Sequence, residues 1–348
     1  MTTGARYELE QVWSPSSEDL LTWTTDFHDL MLGDELRMRA YRRAIAEAVR
    51  PGDVVVDLGT GTGVLARWAL EAGAARVYGI ERDGDLVERA AAEARGAGWG
   101  DRFVPVAGLS FDVELPERAG LVVSEILGNL VDNEDCARIL DDAAERFLAP
   151  GGRLLPRRAE RYVVPVEARR AHAEVGGQAS RVDRPFDAYY DVVLPRTGYL
   201  SSPRMDRAFE LGGDRTRPTG PTRPTAPTPT DYRSDLVFAV RRSGLLTGFK
   251  GWFVADLSAT VALDISGDGI DGPQRTASDS WKHAFLPIER PIAVEPHDRI
   301  VLGLSRTTPT PGAGLPAFAQ SYRWEGAVHR AGDAIGRFAQ SSRLGPSN

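Results

Sequence analysis

At 348 residues, 42% apolar and 26% charged, the chain has the composition of a folded globular protein, long enough for two domains at roughly 100–200 residues each. No apolar run approaches the roughly 20 residues of a bilayer span, and the first residues lack the basic start and apolar stretch of a signal peptide, so no membrane partner and a cytoplasmic location are expected. A formal charge of −7 argues against a nucleic-acid partner; one cysteine, Cys136, excludes an internal disulfide, and five scattered histidines show no metal-ligand spacing.

Residues 1–50 read as a helical segment. Ser16 or Ser17 offers an N-cap, and Leu36, Ala40, Ala44, Ile45 and Ala48 form one apolar stripe before Pro51-Gly52 stops the helix. Strands are then expected at 54–59, 76–83, 103–106 and 121–126, alternating with helices at 63–73, 85–97 and 135–148, the last ended by the breaker Ala149-Pro150-Gly151-Gly152. This alternation implies an α/β, doubly wound parallel sheet of the Rossmann type over residues 51–155. From 156 to 348 the texture changes, and 161–168, 235–240, 251–263 and 299–305 read as antiparallel strands of a β-barrel or sandwich. Residues 212–230, rich in Pro and Thr, read as a surface loop.

Asp57-Leu58-Gly59-Thr60-Gly61-Thr62-Gly63 follows a strand and opens a helix, so its glycines allow a sharp turn and close approach to a ligand. The spacing is GxGxG, one residue short of the dinucleotide fingerprint. Glu81, eighteen residues past Gly63, ends the next strand, where an acid can accept both ribose hydroxyls of a nucleoside cofactor. This half of the chain resembles the class I S-adenosylmethionine (SAM) methyltransferases. The resemblance implies that Asp57, Gly59, Gly61, Gly63 and Glu81 bind SAM, and that Ser110 and Phe111 lie near the adenine. A nicotinamide-dependent oxidoreductase would account for this half alone.

Glu125 and Glu134, at either end of the segment Ser124–Glu134, are nine apart, which puts them on opposite faces of either a helix or a strand. They converge only if the segment doubles back, for which Gly128-Asn129 and Asp132-Asn133 are suitable turn residues. Two converging carboxylates suit a guanidinium, whose planar fork donates paired hydrogen bonds and keeps its charge. With these residues the chain resembles the protein arginine methyltransferases over about residues 25–340. The resemblance implies that Glu125 and Glu134 are catalytic and bind the substrate, that Arg37 pairs with the SAM carboxylate, and that Met31 lines the transfer site. It also implies that Trp281 walls the arginine pocket and that an arm at about 169–200 closes a homodimer; its aromatics Phe186, Tyr189 and Tyr190 would suit an interface if exposed, or could equally pack internally.

Three departures stand out. Ser280 replaces the family's histidine, leaving its dyad with Asp34 incomplete; residues 18–22 carry no tyrosine; and Phe111 stands where an acid often sits. Only two of the 42 basic residues, Lys250 and Lys282, are lysines, which fits a GC-rich bacterial genome. The expectation is therefore a metal-independent SAM-dependent arginine N-methyltransferase, releasing S-adenosylhomocysteine, with Glu125 or solvent taking the proton. The departures favour free L-arginine or a small guanidino metabolite over protein arginine. A catalytically silent SAM-binding protein is the remaining rival.

Overall fold

The computed structural model describes residues 8–15, 30–178, 183–211, 230–268, 278, 280–308 and 320–342. After strand β1 (Val12–Pro15), residues 30–33 form a helical turn, and helix α1 (Glu35–Ala48) starts anew at Asp34, whose carboxylate accepts the Arg37 N–H. The expected helix is thus broken at Asp34, and the serine caps lie outside the described residues. Its buried stripe is also rotated: Arg37, Tyr41, Ala44 and Ile45 face inward, while Leu36, Ala40 and Ala48 are partly covered. The rotation brings the Tyr41 hydroxyl to the Ser124 carbonyl at 3.2 Å.

The parallel sheet follows: β2 (Val54–Leu58), α2 (Val64–Glu71), β3 (Arg76–Glu81), α3 (Gly84–Gly96), β4 (Phe103–Ala107), β5 (Ala119–Ser124), α4 (Cys136–Phe147) and β6 (Leu148–Leu155). Its order is β4-β3-β2-β5-β6, every pair parallel. Val55, Val56, Leu121, Val122 and Val123 have no exposed surface, which is why these strands read as unbroken apolar runs. One expectation fails here. Ala149-Pro150-Gly151-Gly152 lies inside β6, in the part whose pairing with β5 is irregular, so a bulge accommodates the turn-prone residues. The chain order reverses between β2 and β5, and the crevice beyond their carboxyl ends is the switch point at which such sheets bind ligands.

Among the described residues every strand after β6 pairs antiparallel, with one α-helix, α5 (Arg169–Gly177), and two short 3-10 turns between them. The strands are β7 (Arg158–Val166), β8 (Tyr190–Val192), β9 (Arg204–Glu210), β10 (Tyr232–Ala239), β11 (Gly244–Asp256), β12 (Ala262–Asp264), β13 (His283–Val294), β14 (Arg299–Thr307), β15 (Ser321–Arg330) and β16 (Asp333–Ser341). One sheet runs β1-β8-β13-β11-β7-β9, with β12 beside β11; the other runs β10-β14-β15-β16. Phe249 and Leu286 of the first share a core with Phe238, Leu302 and Trp324 of the second. The apolar run 251–263 is two strands, because the chain turns between Leu257 and Val261.

In the segment 169–200, Tyr189 and Tyr190 take the internal alternative. The segment contributes β8 to the sheet, between β1 and β13, and this buries Tyr189 and Tyr190 at 2% and 0% exposure. Phe186 packs on the His172 ring. The Pro/Thr-rich loop, residues 212–229, and the tyrosine-free stretch 18–22 lie outside the described residues.

Candidate active site

The glycine loop leaves β2 through three left-handed residues, Gly59 (φ 73°), Gly61 (φ 51°) and Gly63 (φ 81°), conformations that a side chain would strain. A Cβ on Gly63 would also press on Ala90 at 3.1 Å. Asp57 ties the loop to α2, its Oδ2 accepting the Thr60 hydroxyl at 2.6 Å and the Ala66 N–H at 2.9 Å. Its Oδ1 is buried with no partner, and burial raises the carboxyl's pKa to about 7 against those two hydrogen bonds. Glu81, at the end of β3, accepts the Gly61, Arg82 and Asp83 N–H groups at 2.8–3.1 Å, so acid and loop form one unit. Backbone of this shape, ending in a fixed acid, fits a nucleoside cofactor. Gly108 begins the next loop at the Glu81 carbonyl; Ser110 and Phe111 form a short 3-10 turn there, with the Arg138 guanidinium 4.8 Å over the Phe111 ring.

The acid loop doubles back. Gly128 and Val131 exchange backbone hydrogen bonds at 2.8 and 3.2 Å, Val131 is left-handed (φ 72°), and the Asn133 side chain accepts the Leu130 N–H at 2.8 Å. A Cβ on Gly128 would lie 2.2 Å from the Asn133 Oδ1. Gly128→Ala is therefore expected to displace Asn133, cost about 1–3 kcal/mol for the lost buried hydrogen bond, and lower the melting temperature by several degrees, measured by thermal denaturation.

The fold brings Glu125, Glu134, Arg37 and Trp281 together around one guanidinium, that of Arg37. It contacts the Glu125 carboxylate, lies near enough to Glu134 to oppose the rise in that carboxyl's pKa, and sits 4.6 Å from the centre of the Trp281 ring. Burial lowers the Arg37 pKa to about 10, so it stays charged at neutral pH. Arg37, expected on the SAM carboxylate, is thus bonded to Glu125. It has five N–H donors, and one more is directed at the Ser280 hydroxyl at 3.5 Å. Trp281, expected as the pocket wall, covers Arg37 and donates its indole N–H to the Leu127 carbonyl at 2.7 Å, pinning the acid loop. Burial raises the Glu134 pKa to about 7, opposed by Arg37 and reinforced by Asp191 of β8. Met31 is buried just before Asp34, whose N–H bonds the Met31 carbonyl.

Sequence reading missed three groups. Asp34 is not left without a partner: its Oδ2 accepts the Ser278 hydroxyl, the Ser280 N–H at 2.9 Å and the Ser280 hydroxyl at 2.8 Å, so hydroxyls fill the histidine's place. His283 takes no part, since its ring bonds the Leu194 N–H and the Ile265 carbonyl and burial drives its pKa well down. Asn129 donates to Asp191 at 2.6 Å, placing a third acid close to Glu134. The last group surrounds Asp132, which accepts the Tyr232 and Tyr322 hydroxyls. Their partners are remote in sequence, so no local spacing signals them.

A parallel sheet with a GxGxG loop at its switch point and an acid ending the neighbouring strand fits the class I methyltransferases. Matching families agree: one described as a methyltransferase domain covers residues 55–152, and the PRMT5 oligomerisation domain covers 158–312. In sequence and fold the chain resembles the protein arginine methyltransferases, its first half matching a methyltransferase domain. It is 34% identical over 141 residues to probable protein arginine N-methyltransferase 6 of Arabidopsis thaliana, covering 40% of this chain and 32% of that protein. It is 32% identical over 185 residues to probable histone-arginine methyltransferase 1.3 of the same plant, 51% of this chain and 34% of that protein. The chain thus spans about a third of the length of the curated relatives it matches. The fold matches Arabidopsis protein arginine methyltransferase 10 with a TM-score of 0.76 at 19% identity, over 92% of this chain and 98% of that one. It also matches the Trypanosoma brucei PRMT1 enzyme–prozyme heterotetramer with AdoHcy, with a TM-score of 0.74 at 17% identity, over 91% and 97%.

Proposed function

We propose that this protein methylates a guanidino nitrogen of arginine in protein substrates. The observation that carries the reading is the meeting of two half-buried acids, Glu125 and Glu134, around the Arg37 guanidinium at the sheet's switch point. The choice of protein over free arginine is supported by the relatives, which are named as protein and histone arginine methyltransferases. The two departures inside the described residues lose their force for a small-molecule enzyme. Ser280 keeps Asp34 bonded, and Phe111 is covered by Arg138.

Bound S-adenosylmethionine would supply an electrophilic methyl group, held by the Gly59–Gly63 loop, Glu81 and Arg37. Glu125 and Glu134 would grip the substrate guanidinium by charge-assisted hydrogen bonds and draw its positive charge toward the gripped nitrogens, leaving the remaining nitrogen freer to attack. Arg37 already shares Glu125, which weakens that acid as a base. Glu134, its proton affinity raised by burial, is the group suited to take the proton. Self-association is part of the proposal, supported by the match to an oligomerisation domain and by the assembly of the trypanosomal neighbour.

Labelled methyl donor offered with arginine-rich peptides and, separately, with free L-arginine tests the reading. Label in peptide arginine is expected. Label in free arginine alone would restore the small-molecule alternative, and label in neither would overturn arginine methylation.

A further inference from the structure

Behind the acid loop lies a buried charge cluster. Asp132, two residues before Glu134, is 3% exposed and accepts hydrogen bonds from the Tyr322 hydroxyl at 2.7 Å, the Tyr232 hydroxyl at 2.6 Å and the Arg161 Nη1 at 3.2 Å. The Arg306 Nε lies 3.3 Å away, while that guanidinium also binds Asp135, the residue after Glu134, at 2.9 Å. Arg161 is fully buried and is itself held by Asp206.

The donors come from β7, β10, β14 and β15, so both antiparallel sheets meet on this one carboxylate. Burying so many charges for stability alone is a poor return, since apolar residues of like volume do as well. What the cluster fixes is direction. Asp132 and Asp135 bracket Glu134, and both are held by side chains of the antiparallel strands.

We propose that Asp132 is a positioning residue that fixes the aim of Glu134 through the Tyr232, Tyr322, Arg161 and Arg306 cage. The inference rests on the reading that Glu125 and Glu134 hold the substrate guanidinium. It follows that the antiparallel sheets set the geometry of the acid pair as well as framing the substrate.

The test is steady-state kinetics of the full chain on a methyl-accepting peptide. Asp132→Asn is expected to lower kcat about 100-fold, as a displacement near 1 Å does, and Tyr322→Phe and Tyr232→Phe about tenfold each. SAM affinity should hold, and the acid limb of the kcat/KM profile should move, a change that lost stability alone does not produce. Tyr199→Phe is the control. It removes a half-buried hydroxyl bonded to Asp268 and Lys250, and should lower the melting temperature while keeping kcat. Should Asp132→Asn fail to fold, the two hydroxyl variants decide. If they melt lower yet keep wild-type kcat, KM and pH profile, the positioning role is overturned and the functional reading stands. A wild-type protein inactive on every arginine compound overturns both.

Discussion

Glu125→Gln is expected to lower kcat for arginine methylation about 1000-fold, or about 4 kcal/mol at ~1.36 kcal/mol per tenfold. Glutamine keeps the size of the side chain and one acceptor oxygen but removes the charge that draws the guanidinium's positive charge away from the attacking nitrogen. The effect falls on the transition state, where that redistribution matters, so kcat should drop far more than KM rises. Affinity for S-adenosylmethionine should stay within about threefold of wild type. Any change should be a tightening, because a neutral amide releases the Arg37 guanidinium from its intramolecular carboxylate. Turnover by rapid-quench with labelled donor, beside calorimetric binding, checks both halves. A variant with full kcat would remove the acid pair from the chemistry.

The second large effect is on pH. The Glu134 pKa is raised to about 7, so its carboxyl is mostly protonated below that value and mostly ionised above it. A neutral carboxyl cannot pair with a guanidinium or take its proton, so kcat/KM should fall as pH drops below about 7, approaching tenfold per unit. The sign is that of a raised carboxyl pKa: function appears as pH rises through it. Asp57 is also raised to about 7 and would give a similar limb if its ionisation mattered. Asp57→Asn separates the two. The limb should persist in that variant, and a limb that vanished there would assign it to the cofactor loop.

The parallel sheet was legible because fully buried strands read as apolar runs and its ligand residues fall at strand ends, as with Asp57, Glu81 and Glu125. Strand β6 was hidden by Pro150 and its neighbours, turn-formers that a bulge accommodates. In the antiparallel part, β8, β9, β13, β15 and β16 were not read, since their pairing depends on partners far along the chain. The acid pair could be nominated from turn residues and spacing, but the local sequence does not encode what surrounds it. Arg37 reaches Glu125 from a helix, Trp281 covers it from a strand entry 244 residues on, and Asp132 is caged by four strands. Aromatic residues on an insertion look the same in sequence whether they face solvent or a core, and of the two alternatives Tyr189 and Tyr190 take the inward one.

Two serines around Asp34 carry a last consequence. An imidazole in that place would gain or lose charge across the neutral range and so alter the field felt by Arg37 and its neighbours. Hydroxyls stay neutral throughout it. The helix bearing Arg37 and the strand entry bearing Trp281 are therefore joined by a latch indifferent to acidity, and any proton-sensitive behaviour of this centre belongs to its carboxyl groups.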